Sequence, residues 1–171
     1  MESVSLLQKN RKNCHVIIVD EDRVAYGRSL PDGKSYKQLM LDQFDFDLSR
    51  LHFTGRLPYS QYLQVLRTSS VHVYLTRPFV LSWSMLEAMS TGCLIIASNT
   101  HPVTEVIQDG VNGILADFFS PQDIVAKIEL SLDNPDQMET MRINARKTIL
   151  EKYNLKYLSL KHLEWIQGNI G

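Results

Sequence analysis

Residues 77–98, RPFVLSWSMLEAMSTGCLIIAS, contain a loop, a predicted helix and a predicted buried strand in close succession. The apolar runs at 71–75 and 94–97 are short and rich in β-branched residues, which is typical of buried parallel strands. Gly92 suits the left-handed position at which many helices end. The stretch therefore predicts a strand, a loop, a helix and a second strand in that order.

The predicted helix begins at the carboxyl edge of the sheet, which is where open parallel α/β proteins bind ligands. Ser82 or Ser84 can cap the helix by accepting a hydrogen bond from one of its free backbone amides. The remaining amides and the positive end of the helix dipole favour a negatively charged group. We therefore predict an anion-binding site at the start of this helix.

The rest of the chain continues the alternation of helices and strands. Further strands are predicted at 15–19, 51–54 and 114–116, and further helices at 2–10, 35–44, 58–66 and 101–108, after Ser120 and Asn134, and from Leu155 to Ile166. Five strands alternating with helices predict an α/β fold, with a Rossmann-like parallel sheet and helices on both faces. We expect a single domain over residues 1–171, of which 153–171 form a C-terminal tail helix.

Composition limits the class of protein. The chain has 171 residues, of which 44% are hydrophobic and 22% charged, and its net charge of -1 disfavours a nucleic-acid-binding role. No run approaches the ~18 apolar residues of a membrane span, so no transmembrane segment is predicted. Cys14 and Cys93 lie in or beside predicted strands, and we interpret them as core residues of a cytoplasmic protein rather than as a disulfide.

Two segments resemble one enzyme family. Leu86-Glu87-Ala88-Met89 followed by Gly92 is similar to the donor-site motif of retaining glycosyltransferases of group 1, also called family 4, which have the GT-B fold. The segment from Pro102 to Leu115 resembles the same family's connection into its last strand. The similarity extends from about Cys14 to about Ile166. It implies a C-terminal domain that binds a UDP or GDP sugar as donor substrate, without any other cofactor and without a metal.

The resemblance implies a role for Glu87. In the family, a glutamate at this position accepts hydrogen bonds from the ribose hydroxyls of the nucleotide; the alternative is a helix acid that only interacts locally. A second family glutamate, which contacts the donor sugar, is replaced here by Phe79. Phenylalanine accepts no hydrogen bond, and Arg77 is not an equivalent replacement, so sugar recognition is expected to differ.

The other predicted ligand contacts lie in three loops. Ser82, Trp83 and Ser84 match a turn whose amides face the sugar and diphosphate, although the serines can also be simple caps and Trp83 is expected to pack rather than to stack. Gly55, Arg56 and Leu57 match a segment that cradles the base, with a tight turn as the alternative. Arg23 and Arg28 could approach a diphosphate, or could belong to a solvated polar loop. The five histidines are interpreted as structural, without carboxylate partners.

The family comparison also implies that parts of the enzyme lie outside this chain. The family domain begins with a strand and a basic loop, and a separate N-terminal domain binds the acceptor. If the family order holds, the first strand is central, and its neighbours in this chain are left with unpaired edges. We therefore assign no catalytic residue and expect either an N-terminal acceptor domain as partner or self-association. The alternatives are a non-catalytic remnant or protein-interaction module, and an enzyme similar to nucleotide-sugar epimerases.

Overall fold

A computed structural model describes residues 1–23, 29–31, 33–77 and 81–169. Within these residues the helices are α1 (Glu2–Asn10), α2 (Tyr36–Gln43), α3 (Tyr59–Thr68), α4 (Trp83–Ser90), α5 (His101–Thr104), α6 (Pro121–Asp133), α7 (Pro135–Lys152) and α8 (Leu155–Asn169). The strands are β1 (Val16–Ile18), β2 (Leu51–Phe53), β3 (His72–Tyr74), β4 (Ile95–Ser98) and β5 (Ile114–Ala116). The predicted alternation is confirmed; the first three strands are shorter than expected, whereas β4 has the expected length and β5 the expected bounds.

The strands form two parallel sheets rather than one. β1 pairs with β2, and β3, β4 and β5 pair in that order. Among the described residues no strand joins β1 to β3, which explains why the expected single sheet is divided at this point. Val16 and Val71, at the amino ends of β1 and β3, nevertheless pack against one apolar cluster. The parallel α/β fold is confirmed.

β4 separates two apolar clusters. Its residues alternate between the two faces of the sheet, as side chains of a strand must. Ile95 and Ala97 face a cluster with Met85, Ala88 and Met89 of α4, whereas Ile96 faces a cluster built from α1, α6 and α7. Since every residue of β4 is buried, the predicted fully apolar strand is confirmed.

The ends of α4 and α6 follow the predicted signals, whereas the start of α7 follows them only in part. Ser82 caps α4, Gly92 has a φ of 77°, and Ser120 accepts a hydrogen bond from the Asp123 amide at the start of α6. Asn134 occupies the cap position of α7, with Pro135 and Asp136 in the first turn as predicted, but its side chain makes no capping hydrogen bond. Its side-chain amide instead donates to the carbonyl of Leu130 in α6, because α6 and α7 share this single connecting residue.

Helix α1 is held against the segment that precedes β2. Ser5 donates to the carbonyl of Asp45 at 2.7 Å, and Arg50 donates to the carbonyls of Gln8 and Arg11. Asp47 orients Arg50 by accepting a 2.7 Å hydrogen bond from its Nε. The Asp47 side chain also accepts from Ser49, so α1 is positioned by a polar network as well as by apolar packing.

Helix α5 is shorter than predicted, and helix α8 is exposed. α5 ends at Thr104 rather than near residue 108. α8 forms as predicted but has no buried residue. Its exposed apolar side chains are Leu155, Tyr157, Leu160, Leu163, Trp165 and Ile166. Among the described residues, none of the helices has the length and apolar character that a membrane span requires.

Cys14 and Cys93 are free thiols, as predicted. Cys93 is buried, and Cys14 is half-buried against the cluster beneath β4. Burial raises the pKa of Cys93 to about 11 and also raises the pKa of Cys14. Both side chains therefore behave as small core residues.

Candidate functional site

Helix α4 begins at the carboxyl edge of β3. The Ser82 hydroxyl accepts a 3.3 Å hydrogen bond from the Ser84 amide, and the two hydroxyl oxygens lie 3.0 Å apart. The Ser82 amide donates to the hydroxyl of Tyr74, a buried residue of β3, at 3.0 Å. Two amides of the helix start are therefore already used within the protein. The Trp83 amide, at the first helical position, belongs to the group that an α-helix cannot pair internally.

Trp83 is exposed rather than packed. Its side chain is 79% accessible, so the prediction that it packs is wrong. The reason is its place in the first turn of α4, on the side opposite the buried Met85, Ala88 and Met89. The indole is therefore available to a ligand that approaches this helix end.

Glu87 lies one turn further along α4 and is half-buried. It faces Tyr59 and Tyr62 of α3, and the protonated Tyr59 hydroxyl donating toward Glu87 is the main reason that the pKa of Tyr59 is raised. Burial, followed by the charge of Glu87 and the approach of the Tyr62 hydroxyl to its carboxylate, raises the pKa of Tyr62 to about 12, although the two groups stop short of a hydrogen bond of ordinary length. Neither tyrosine was singled out from the sequence as a site residue, and two tyrosines one turn apart after the predicted base-binding loop are the signal that was available.

Gly55, Arg56 and Leu57 connect β2 to α3. Gly55 has a φ of 65°, a left-handed conformation that favours glycine, so the tight turn is confirmed. Thr54 donates toward the carbonyls of Ile18 and Gly55 at 3.4 and 3.0 Å and thus fixes the start of this turn. Because α3 begins two residues after Leu57, its first residue brings this loop towards Glu87.

The loop after β1 is only partly described. Arg23 forms a 2.6 Å ion pair with Glu21, and its side chain is 69% exposed. Its charge is thus paired locally rather than directed at α4. Arg28 and Phe79, the other two residues discussed for diphosphate and sugar recognition, lie outside the described residues.

Ser98 connects β4 to the chain that leads into α4. It is completely buried, accepts a 3.0 Å hydrogen bond from the Thr76 amide and donates to the Thr76 carbonyl at 3.0 Å. Arg77 follows Thr76 in the chain and is exposed at the carboxyl edge of the sheet. Ser98 is a positioning residue that the sequence did not reveal, because its partner is distant along the chain.

The histidines are more closely partnered than predicted. His101 lies 3.4 Å from the carboxylate of Glu105, which corrects the expectation that it has no acidic partner. Nδ1 of His15 lies 3.0 Å from Nε2 of His52, because β1 and β2 place these side chains on the same face of their sheet. Within the described part of the chain, no group of three or more His, Cys, Asp and Glu side chains is arranged to hold a metal ion.

A surface pocket of about 340 Å³ lies at the other end of α4. Its lining includes Tyr59, Arg67, Ser90 and Arg146, and Arg146 donates to the Ser90 carbonyl. The pocket is therefore at the negative end of the α4 dipole, away from the free amides of the helix start, although Arg67 and Arg146 add positive charge to its lining. The helix start at Ser82 remains the better candidate for a phosphate.

Parallel strands, helices on both sheet faces and a capped helix starting at the carboxyl edge define a Rossmann-like α/β domain. Among solved structures it resembles Anabaena Alr3699/HepE in complex with UDP-glucose, with a TM-score of 0.81 and 16% identity over 98% of this chain and 45% of that chain. It also resembles the C-terminal domain of the Francisella tularensis glycosyl transferase group 1 family protein LpcC. That likeness has a TM-score of 0.71 and 20% identity over 90% of this chain and 77% of that chain. The fold is that of GT-B glycosyltransferases.

The chain belongs to the family of glycosyl transferases group 1, whose family model matches residues 1–148. It is 29% identical over 151 residues to an uncharacterized glycosyltransferase of Methanocaldococcus jannaschii, MJ1069, covering 88% of this chain and 36% of that protein. A second relative from the same organism, MJ1178, is 27% identical over 115 residues, which cover 67% of this chain and 33% of the relative. The chain thus spans about a third of the length of these curated relatives. The family resemblance inferred from the sequence is confirmed.

Proposed function

We propose that this chain is the donor-binding half of a retaining glycosyltransferase, which transfers a sugar from a nucleoside diphosphate to an acceptor hydroxyl. The observation that carries the proposal is the half-buried carboxylate of Glu87, one turn inside a helix that starts at the carboxyl edge of a parallel sheet in a member of this family. HepE, a GT-B protein of similar fold, has been solved with UDP-glucose, which favours a nucleotide-sugar donor here as well.

In this proposal each part of the site contacts a different part of the donor. Glu87 accepts hydrogen bonds from the ribose hydroxyls, and the loop from Gly55 to Leu57 contacts the base through its main chain. Trp83 and the start of α4 face the sugar and the diphosphate, where the helix dipole stabilises negative charge on the leaving group. Catalysis then depends on positioning and charge stabilisation, with the nucleotide sugar as donor substrate and no additional cofactor or metal.

We further propose that the acceptor is bound by a separate N-terminal domain, as the relatives' greater length suggests. Calorimetric titration of the 171-residue chain with UDP and with GDP tests the donor half of this proposal directly. Binding of either nucleotide at micromolar to low millimolar concentration is expected. If neither binds to the folded chain, the donor-binding proposal is refuted.

Transfer is tested separately. The chain is assayed with a UDP or GDP sugar and an acceptor, first alone and then together with an N-terminal half supplied in trans. Because the acceptor would have no site, the chain alone is expected to show no transfer. Robust turnover by the purified chain without a second half would contradict this division of labour.

A second candidate, a protein-interaction module, is favoured by unpaired strand edges. The Val16 amide donates to the carbonyl of Arg50, and the Thr54 amide donates to the carbonyl of Ile18. Because alternate residues of a parallel strand bond to the same neighbour, the peptide groups of Ile17 point away from β2. The His72 amide likewise donates to the carbonyl of Leu94. The peptide groups of Val73 and Leu75 therefore point away from β4.

These edge residues are also apolar and exposed: Ile17 is 46% accessible, Val73 38% and Leu75 41%. Together with the uncovered apolar side chains of α8, they favour self-association or pairing with another polypeptide. Light scattering over a dilution series tests this proposal. A monodisperse monomer at high micromolar concentration, without dye-accessible apolar surface, would refute it.

A further inference from the structure

The buried hydroxyl of Tyr62 has no hydrogen-bond partner among the described residues. The ring itself is well packed, because it contacts the cluster that contains Met85, Ala88 and Met89 of α4. A hydroxyl that is taken out of water without a partner destabilises the folded state, and such a group in a native protein requires an explanation. Simple packing does not supply one, since phenylalanine would fill the same space without this cost.

The surroundings of the hydroxyl indicate what it is for. Tyr59, one turn earlier in α3, has its ring centroid 6.3 Å from that of Tyr62, and it lies beside the same part of α4, since it lines a pocket with Ser90 and Thr91. Both hydroxyls lie near enough to the Glu87 carboxylate for it to raise the pKa of each tyrosine, and the buried Tyr62 hydroxyl stops short of a hydrogen bond of ordinary length to it. An ionised carboxylate can accept about four hydrogen bonds. Two ribose hydroxyls therefore leave room for two further donors.

We propose that Tyr59 and Tyr62 are positioning residues that hold the Glu87 carboxylate in the orientation needed to accept from the ribose, and that the Tyr62 hydroxyl completes its hydrogen bond to Glu87 when the nucleotide binds. This inference rests on the proposed nucleotide-binding function of Glu87. It assigns the unpaired hydroxyl a role that appears only in the complex. In the free chain, the same hydroxyl lowers the stability of the fold.

The proposal predicts an unusual combination of effects for Tyr62→Phe. The free chain loses no hydrogen bond, so its Tm is expected to stay the same or to rise. Binding of UDP or GDP, whichever the wild-type chain binds, is expected to weaken about three- to tenfold, the value of one ordinary hydrogen bond. A purely structural hydroxyl would leave the Kd unchanged. Tyr157→Phe, on the exposed face of α8, is the matched control and is expected to alter neither quantity.

A double-mutant cycle tests whether Tyr62 affects nucleotide binding through Glu87. Calorimetric Kd values are measured for the wild type, Tyr62→Phe, Glu87→Gln and the double variant. If Tyr62 acts through Glu87, the tyrosine substitution has less effect in the Glu87→Gln background, and the preference for UDP over 2′-deoxy-UDP, or for GDP over its 2′-deoxy form, falls in Tyr62→Phe.

The outcomes separate this inference from the function on which it rests. If the wild type binds UDP or GDP and Tyr62→Phe binds it equally well, the inference is overturned while the proposed function stands. Additive effects of the two substitutions, or an unchanged ribose preference, also overturn it. If the wild type binds neither nucleotide, the proposed function fails and this inference fails with it.

Discussion

Replacing Glu87 by glutamine is expected to weaken nucleoside diphosphate binding by at least about tenfold without destabilising the fold. The substitution keeps the length and shape of the side chain but exchanges a charged acceptor for a neutral amide. Glutamate and glutamine have similar helix propensities, so α4 should form equally well. The buried neighbours Met85, Ala88 and Met89 are untouched.

The magnitude follows from the chemistry of the contact. A hydrogen bond to a charged group contributes about 1.5–3 kcal/mol, and each 1.4 kcal/mol corresponds to about a tenfold change in Kd. Glu87 is only half-buried, so solvent screening moves the expected value towards the lower end of that range. We therefore expect Kd to rise between about tenfold and a hundredfold.

Calorimetry with UDP and GDP gives Kd, and thermal unfolding without ligand gives Tm as the measure of fold integrity. Glu139→Gln, at an exposed position of α7, is the matched control and should change neither quantity. Nucleotides that lack a ribose hydroxyl should bind the wild type more weakly but lose little further affinity in Glu87→Gln. Equal affinity of the wild type for ribose and deoxyribose nucleotides would refute the role of Glu87.

Three further predictions concern stability and thiol chemistry. Ser98→Ala should lower the free energy of unfolding by about 1–3 kcal/mol, because it leaves the Thr76 amide without its partner. Urea denaturation measures this free energy, and an unchanged midpoint and slope would contradict the prediction. Hydrogen bonds from Ser49 and Arg50 lower the pKa of Asp47 to about 2 from its usual 3.8. The contribution of the Asp47 carboxylate to the stability of the fold is therefore complete above about pH 4 and is lost as the pH falls towards 2. Asp47→Asn should therefore flatten the dependence of Tm on pH in that window, and an unaltered profile would exclude this origin. Burial raises the pKa of Cys93 to about 11, so its thiol should react with a disulfide reagent at pH 8 only after unfolding. Rapid reaction of the Cys93 thiol in the folded chain would contradict this prediction.

Local signals in the sequence were sufficient for the order of elements and for the position of α4. Ser82 and Gly92 mark the ends of α4 through interactions within a few residues, so both ends could be predicted from the local sequence. The apolar run of β4 likewise predicted a strand buried on both faces. Asn134 shows the limit of such signals, since the contact with Leu130 in the preceding helix replaced the expected cap.

The surroundings of the candidate site were decided by contacts between residues that are distant along the chain. Tyr59 and Tyr62 reach Glu87, Tyr74 accepts from the Ser82 amide, and Ser98 holds Thr76. The spacing of Tyr59 and Tyr62 places them one turn apart on a helix, but it does not predict which side chains they meet, because that depends on how α3, α4 and β4 pack together.

The sequence by itself determined the α/β class, the family, the start of α4 and the place of Glu87, because short-range capping and apolar periodicity specify elements before they are assembled. Only the tertiary structure decided that β1 and β3 are the strands on either side of the division, that Trp83 faces solvent and that α8 stays uncovered. The physical reason is that strand pairing and burial depend on which surfaces meet, and a residue's neighbours along the chain do not fix that.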